Sequence, residues 1–220
     1  MKKVGISALC LAASMIMVPA FTMAEEAPGH DLRAGVRAGL GLGGEVEAEV
    51  GTQEFDYDME TSFSIGGFLE YTKHKNVHFG GIVGSQFWTA DELDDVGIDR
   101  NTFLDISPFL KVLAPFADGK GEVYAMVPIG LTVSFLNEDF EEPAKWQPPL
   151  ETTAVGMNVS ILAGASYMFN ETVGGLVDIG WNYHSMTHEI ERQYVGGDGV
   201  DEIEITMSQF ALNVGFFTNF

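Results

Sequence analysis

A chain of 220 residues carries 32 acidic against 11 basic side chains, a formal charge of −21, together with 16 phenylalanines and a positive mean hydropathy. The acidic excess excludes nucleic acid as a partner, because phosphates are repelled, and opposes unaided binding to anionic lipid head groups. The apolar content excludes a disordered polyanion, and one cysteine, Cys10, leaves no disulfide scaffold or cysteine-based metal centre.

The first element is "MKKVGISALCLAASMIMVPAFTMA": two lysines, a long apolar stretch, and the small residues Thr22 and Ala24 ahead of "EEAPGHD". That order predicts a secretory signal peptide over residues 1–24, cleaved after Ala24, with the folded domain over 25–220. An uncleaved membrane helix has the length, but Pro19 and the cleavage pattern favour the removed leader. Losing Lys2 and Lys3 leaves nine basic residues against 32 acidic ones, a balance of −23. Cys10 departs with the leader, and export without cysteine is compatible with a Gram-negative envelope.

From residue 32 onward the chain alternates with period two, the mark of strands with two different faces. The first strand sets Leu32, Ala34, Val36, Ala38, Leu40 and Leu42 against Arg33, Gly35, Arg37, Gly39 and Gly41. The second sets Met59, Thr61, Phe63, Ile65, Leu69 and Tyr71 against Glu60, Ser62, Ser64, Gly66 and Glu70. The third opposes Val77, Phe79, Val83 and Phe87 to His78, Gly80, Gly84 and Gln86, and the fourth opposes Leu104, Ile106, Leu110 and Val112 to Asp105, Ser107 and Lys111. A fifth runs from Val123 to Phe135, a sixth from Val155 to Phe169, and a seventh sets Val177, Ile179, Trp181 and Tyr183 against Asp178, Asn182 and His184. The eighth is the C-terminal "SQFALNVGFFTNF".

Acidic residues crowd the segments 45–60, 89–101, 136–153 and 188–204, which together hold 23 of the 32. These read as long loops, alternating with the short connections 72–76, 114–121 and 170–172. An even strand count with short turns on one side and long loops on the other predicts an all-β, eight-stranded antiparallel up-and-down transmembrane β-barrel. A lipocalin-like soluble barrel turns its apolar parity inward and needs a charged exterior. The second parity here is mostly Gly, Ser, Asn and Thr, which suits a crowded narrow lumen instead. Tyr71, Phe79, Phe169, Phe216 and Phe220 fall toward the turns, and Phe63, Phe87, Phe135, Trp181 and Tyr183 toward the loops, as two interfacial girdles.

On this architecture, and on the last strand above all, the sequence resembles the small eight-stranded outer-membrane barrels typified by the OmpA transmembrane domain and OmpX, over residues 30–220. The resemblance implies an outer-membrane location after secretion to the periplasm, with both termini on the periplasmic side. It also implies that Leu212, Val214, Phe216 and Phe220 form the signal read by the barrel-assembly machinery. The expected surroundings are outer-membrane lipids and lipopolysaccharide.

Pro108 and Pro128 interrupt the fourth and fifth strands at about one height, and each lacks a ladder donor, so a bulge or thinned pairing is expected there. The inward parity buries Arg33, Arg37, Glu70, Asp105, Lys111 and Asp178, and a charge in a narrow lumen needs a partner. Arg33 is expected against Glu70, and Arg37 against Asp178 or Asp105, as a network that seals the barrel or as a gate. Inward Phe68, Ile82, Phe103, Phe109, Leu162, Leu176 and Met186 read as packing, or as a slender apolar cavity of the kind found in OmpW-like barrels.

In "WNYHSMTHEIE", His184, Ser185, His188 and Glu189 suggest a lipid hydrolase, but alternation sends the histidines into the lumen and Ser185 to the lipid. "GGDGVDEIE" matches one copy of the calcium β-roll nonapeptide, which makes Asp198 and Asp201 weak metal candidates, since such rolls share each ion between successive repeats. The acidic loops as a whole suit Ca²⁺ or Mg²⁺ bridging to lipopolysaccharide phosphates. No other cofactor is expected. The leading expectation is a non-enzymatic envelope protein making surface contacts through its acidic loops. A narrow cation-favouring or small hydrophobic solute channel stands second, and the hydrolase third.

Overall fold

The computed structural model describes residues 31–50, 53–72, 74–88, 98–138, 153–189 and 202–220. The expected signal peptide, Asp198 and Asp201 lie outside the described residues. The strands are β1 (Leu32–Val50), β2 (Gln53–Asp58), β3 (Ser62–Tyr71), β4 (Val77–Trp88), β5 (Ile98–Phe116), β6 (Gly121–Glu138), β7 (Thr153–Met168), β8 (Val173–Glu189) and β9 (Glu202–Asn219). Each pairs antiparallel with its neighbours, and β1 closes the sheet on β9 from Arg33 opposite Asn219 to Val50 opposite Ile203. Strands β2 and β3 both pair with β1 and together form one stave, so the closed barrel has eight staves.

The acidic segment 45–60, expected as a loop, is largely strand: Glu45 to Val50 of β1 pair with Gln53 to Asp58 of β2. The period-two pattern breaks at Leu42 because a bulge follows it. Leu42 pairs with Phe210 but Gly44 with Gln209, and Gly43 takes φ +61° at no steric cost to a glycine. One inserted residue exchanges the two faces. Below the bulge Leu40 and Leu42 are exposed; above it Val46 is buried while Glu45 and Glu47 point outward. Met59, expected on the outer face, turns inward for the same reason: the chain leaves strand geometry at 59–61, and the Met59 N–H donates to Gly44 O at 3.0 Å.

At the two prolines the ladder is thinned without losing register. Ile106 pairs with Leu131 and Phe109 with Pro128, with no pair between them, and the β6–β7 ladder skips from Met126–Leu162 to Ile129–Val159. Missing donors remove bonds there without adding a residue.

The exterior is apolar and the interior polar. Val36, Ile65, Leu69, Val83, Ile106, Leu131, Val155, Met157 and Val214 are each more than half exposed, whereas Ser62, Gln86, Thr132, Asn158, Asp178 and Gln209 are buried. A soluble barrel cannot present such a continuous apolar surface to water. The girdles form by register: Phe63 faces Phe87 and Trp181 faces Phe210 near the loops, while Tyr71 and Phe79 pack at 5.0 Å near the turns. Both described ends meet at the turn side, where Leu32 and Phe220 exchange backbone hydrogen bonds. Glycine makes room where lumen side chains meet: a Cβ at Gly41 would collide with Gln209 Oε1 and Ser62 Oγ, which are bonded to one another at 2.7 Å.

The inverted pattern has a direct consequence for stability. Leu131, 59% exposed in the middle of the belt, is expected on replacement by Arg to lose about 2–4 kcal/mol for the barrel refolded in lipid vesicles. A soluble barrel would tolerate Leu131→Arg within about 0.5 kcal/mol, as surface substitutions usually are. Urea titration in vesicles separates the two values.

Candidate functional site

The candidate site is the lumen, which holds two groups of charges. At the turn end Arg33 clamps Glu122 with two bonds, Nη1 to Oε2 at 2.9 Å and Nη2 to Oε1 at 3.1 Å, while its Nε donates to Asn219 Oδ1 at 3.0 Å. Phe217 supports the guanidinium from its ring face at 4.2 Å. Glu70 lies 3.6 Å from Arg33 and receives Lys111 Nζ at 2.8 Å, and His78 Nδ1 contacts the same carboxylate oxygen. Parity explains the convergence: β1, β3, β4, β5 and β6 each turn one of these residues inward where the staves approach closely.

Deeper in, Arg37 meets Asp178 at 3.3 Å, and Asp178 also accepts from Asn213 Nδ2 at 2.7 Å and Tyr124 OH at 3.2 Å. A void of about 20 Å³ separates the two groups, lined by Glu70 and Lys111 of one and Arg37 and Asp178 of the other. Of the expected pairs, Arg33 forms an ion pair with Glu70 at 3.6 Å while its two hydrogen bonds go to Glu122, and Arg37 meets Asp178 and not Asp105. Asp105 instead accepts from Thr132 Oγ1 at 2.5 Å and contacts His184 Nε2 at 3.1 Å.

Sequence reasoning missed two members of the turn-end group. Glu122 lies just past the connection 114–121, at the edge of the fifth strand, and shares the inward parity of Tyr124 and Met126. His78 sat on the correct parity but drew no notice beside two glycines. Inward parity carried one residue further toward each turn would have found both.

The loop end of the lumen is closed by an apolar layer of Val46, Met59, Trp88, Phe103, Ala154, Met186 and Met207. Below it lies a polar chamber of about 70 Å³. At the turn end a vestibule of about 960 Å³ opens outward, lined by Arg33, His78, Glu122 and turn residues.

Of the suggested hydrolase residues, His184, Ser185 and His188 do not converge, and the Glu189 side chain lies outside the described ones. His184 turns inward to Asp105, while Ser185 lies on the outer face and donates to Glu204 Oε1 at 3.5 Å. His188 is buried in the lumen. On the outer face above the bulge, the carboxylates of Glu45, Glu47 and Asp56 lie within 4.8 Å of one another, all exposed. They are the described counterpart of the acidic surface for which a divalent cation is expected.

No family model and no curated protein matches the chain. Among solved structures, the outer membrane protein OprG from Pseudomonas aeruginosa superposes with a TM-score of 0.53 at 12% identity, over 87% of this chain and 97% of that one. The outer membrane protease OmpT from Escherichia coli gives 0.49 at 11% identity, over 89% and 98%. Neisserial surface protein A gives 0.43 at 13% identity, over 85% and 97%. The likeness is one of fold: a small, closed, eight-stranded antiparallel barrel of the outer-membrane kind.

Proposed function

We propose that this chain is a non-enzymatic outer-membrane protein of a Gram-negative envelope, whose lumen is sealed and whose acidic loop end makes the surface contacts. The observation that carries the proposal is the interrupted lumen. Among the described residues, the spaces between vestibule and loop end measure about 20 and 70 Å³, are separated by buried charge pairs, and lie beneath the Phe103 layer. Spaces that hold about one and about five waters make no continuous aqueous path for an ion. Secretion with removal of residues 1–24 belongs to the same proposal. So does recognition by the assembly machinery of Leu212, Val214 and Phe216 on β9 and of Phe220 just past it, all exposed.

Purified mature protein in a planar bilayer is expected to be electrically silent while remaining folded, shown by resistance to unfolding in unheated detergent. Discrete cation-selective steps that change with Arg37→Ala would replace the sealed barrel with a gated pore.

A further inference from the structure

The charges of the lumen do not cancel. Arg33 and Lys111 are answered by Glu70 and Glu122, and Arg37 by Asp178. Asp105 has no Arg or Lys within 4.0 Å among the described residues; its partners are the Thr132 hydroxyl, the Asn158 amide at 3.2 Å and His184 Nε2. A lone carboxylate in a narrow lumen costs several kcal/mol unless a positive charge answers it.

The second observation is His184. Its ring is 2% exposed and packs against Phe103 at 4.9 Å. In a neutral ring whose Nε2–H is directed at Asp105, Nδ1 carries a lone pair, and that atom is buried without a protein partner among the described residues. Buried polar atoms left unmet in this way point to a bound water or ion.

Both residues line the polar chamber, which also receives Arg37, Ser107, Asn158 and Asn182. The Asp105 side chain, one of those lining the chamber, is 21% exposed. The chamber's volume accommodates about five waters, or one small ion with part of its hydration shell.

We infer that the chamber binds one monovalent alkali cation, held by the Asp105 carboxylate and by neighbouring hydroxyl and amide oxygens. The donors are hard oxygens, which select a hard cation over a transition metal. The single unanswered charge sets the valence: a divalent ion would leave a surplus positive charge beside the Arg37 guanidinium. A water in the ion's shell donates to His184 Nδ1. The site goes beyond the sealed-lumen proposal and does not depend on it, since a silent barrel holds the ion as a structural countercharge.

The test is the unfolding midpoint of the folded barrel in detergent, measured in NaCl, KCl and choline chloride at equal ionic strength. A ligand that binds only the folded state raises the midpoint, so sodium or potassium is expected to raise it above choline, and the larger rise identifies the ion. Asp105→Asn is expected to bring the three midpoints together. Equal midpoints for the wild type in all three salts overturn the inference, and so does an alkali effect that survives Asp105→Asn. If that variant fails to fold, nitrogen NMR of His184 in the wild-type protein decides. A neutral ring with its proton on Nε2 supports the ion, whereas protons on both nitrogens make the imidazolium the countercharge and remove the site.

Discussion

Glu70→Gln is expected to lower the unfolding free energy of the barrel by about 3–5 kcal/mol, the usual consequence of removing one partner from a buried ionic group. Glu70 is 2% exposed and answers Lys111 at 2.8 Å, with Arg33 at 3.6 Å and His78 in contact. Without the carboxylate, Arg33 keeps its two bonds to Glu122. Lys111 keeps Glu122 at 3.6 Å and the face of Tyr124 at 4.4 Å, with no carboxylate at hydrogen-bond distance among the described residues, so one positive charge is left without an adequate answer. Urea titration in lipid vesicles measures the loss. The double substitution Glu70→Leu with Lys111→Met is expected to recover most of it, because it removes the charges as a pair. A loss below about 1 kcal/mol for Glu70→Gln would place the group in the range of exposed pairs. Water in the vestibule beside Arg33 and His78 would then be solvating the cluster, and the lumen would not be sealed at that level.

Phe103→Ala is expected to cost about 3–5 kcal/mol, as a buried ring lost to a cavity. Phe103 is fully buried, with Trp88 at 5.5 Å and His184 at 4.9 Å between ring centroids. It is also the ring that divides the polar chamber from the loop end, so its removal is expected to produce brief conductance steps in a bilayer where the parent protein is silent. A destabilised but silent variant would show that Met186, Met207 and Trp88 close over the gap. Conductance with unchanged stability would show that the ring acts as a gate and not as packing. Circular dichroism melts and bilayer recordings on one preparation separate these outcomes.

The turn-end charges illustrate how a linear pattern and a closed barrel contribute different information. Arg33, Glu70 and Lys111 were recognisable as inward because each sits opposite an outward apolar residue. The contact of Arg33 with Glu70 on the neighbouring strand was legible too, but the partners across the lumen were not, because they depend on how the staves are staggered around the closure. The Arg33–Glu122 pair spans 89 positions of chain and does not come from adjacent strands. Asp105 shows the same limit. Parity put it in the lumen, but only the fold placed Thr132, Asn158 and His184 around it and kept Arg37 with Asp178.

What the sequence determined by itself was the class of fold and the sense of its faces. Period-two alternation with an apolar parity facing lipid, aromatic residues at both borders and acid concentrated in the long-loop segments admit few other arrangements. It did not determine where that alternation would reverse. Gly43 inserts one residue whose effect exists only against β9, and it turned an apparent acidic loop into β1 and β2 with carboxylates outward and Val46 and Met59 inward. The tertiary structure decided that, and decided that Arg33 also clamps Glu122, that Lys111 answers Glu70 and that Arg37 takes Asp178 over Asp105, because side-chain direction is a local property of a strand whereas register and closure are properties of the whole sheet.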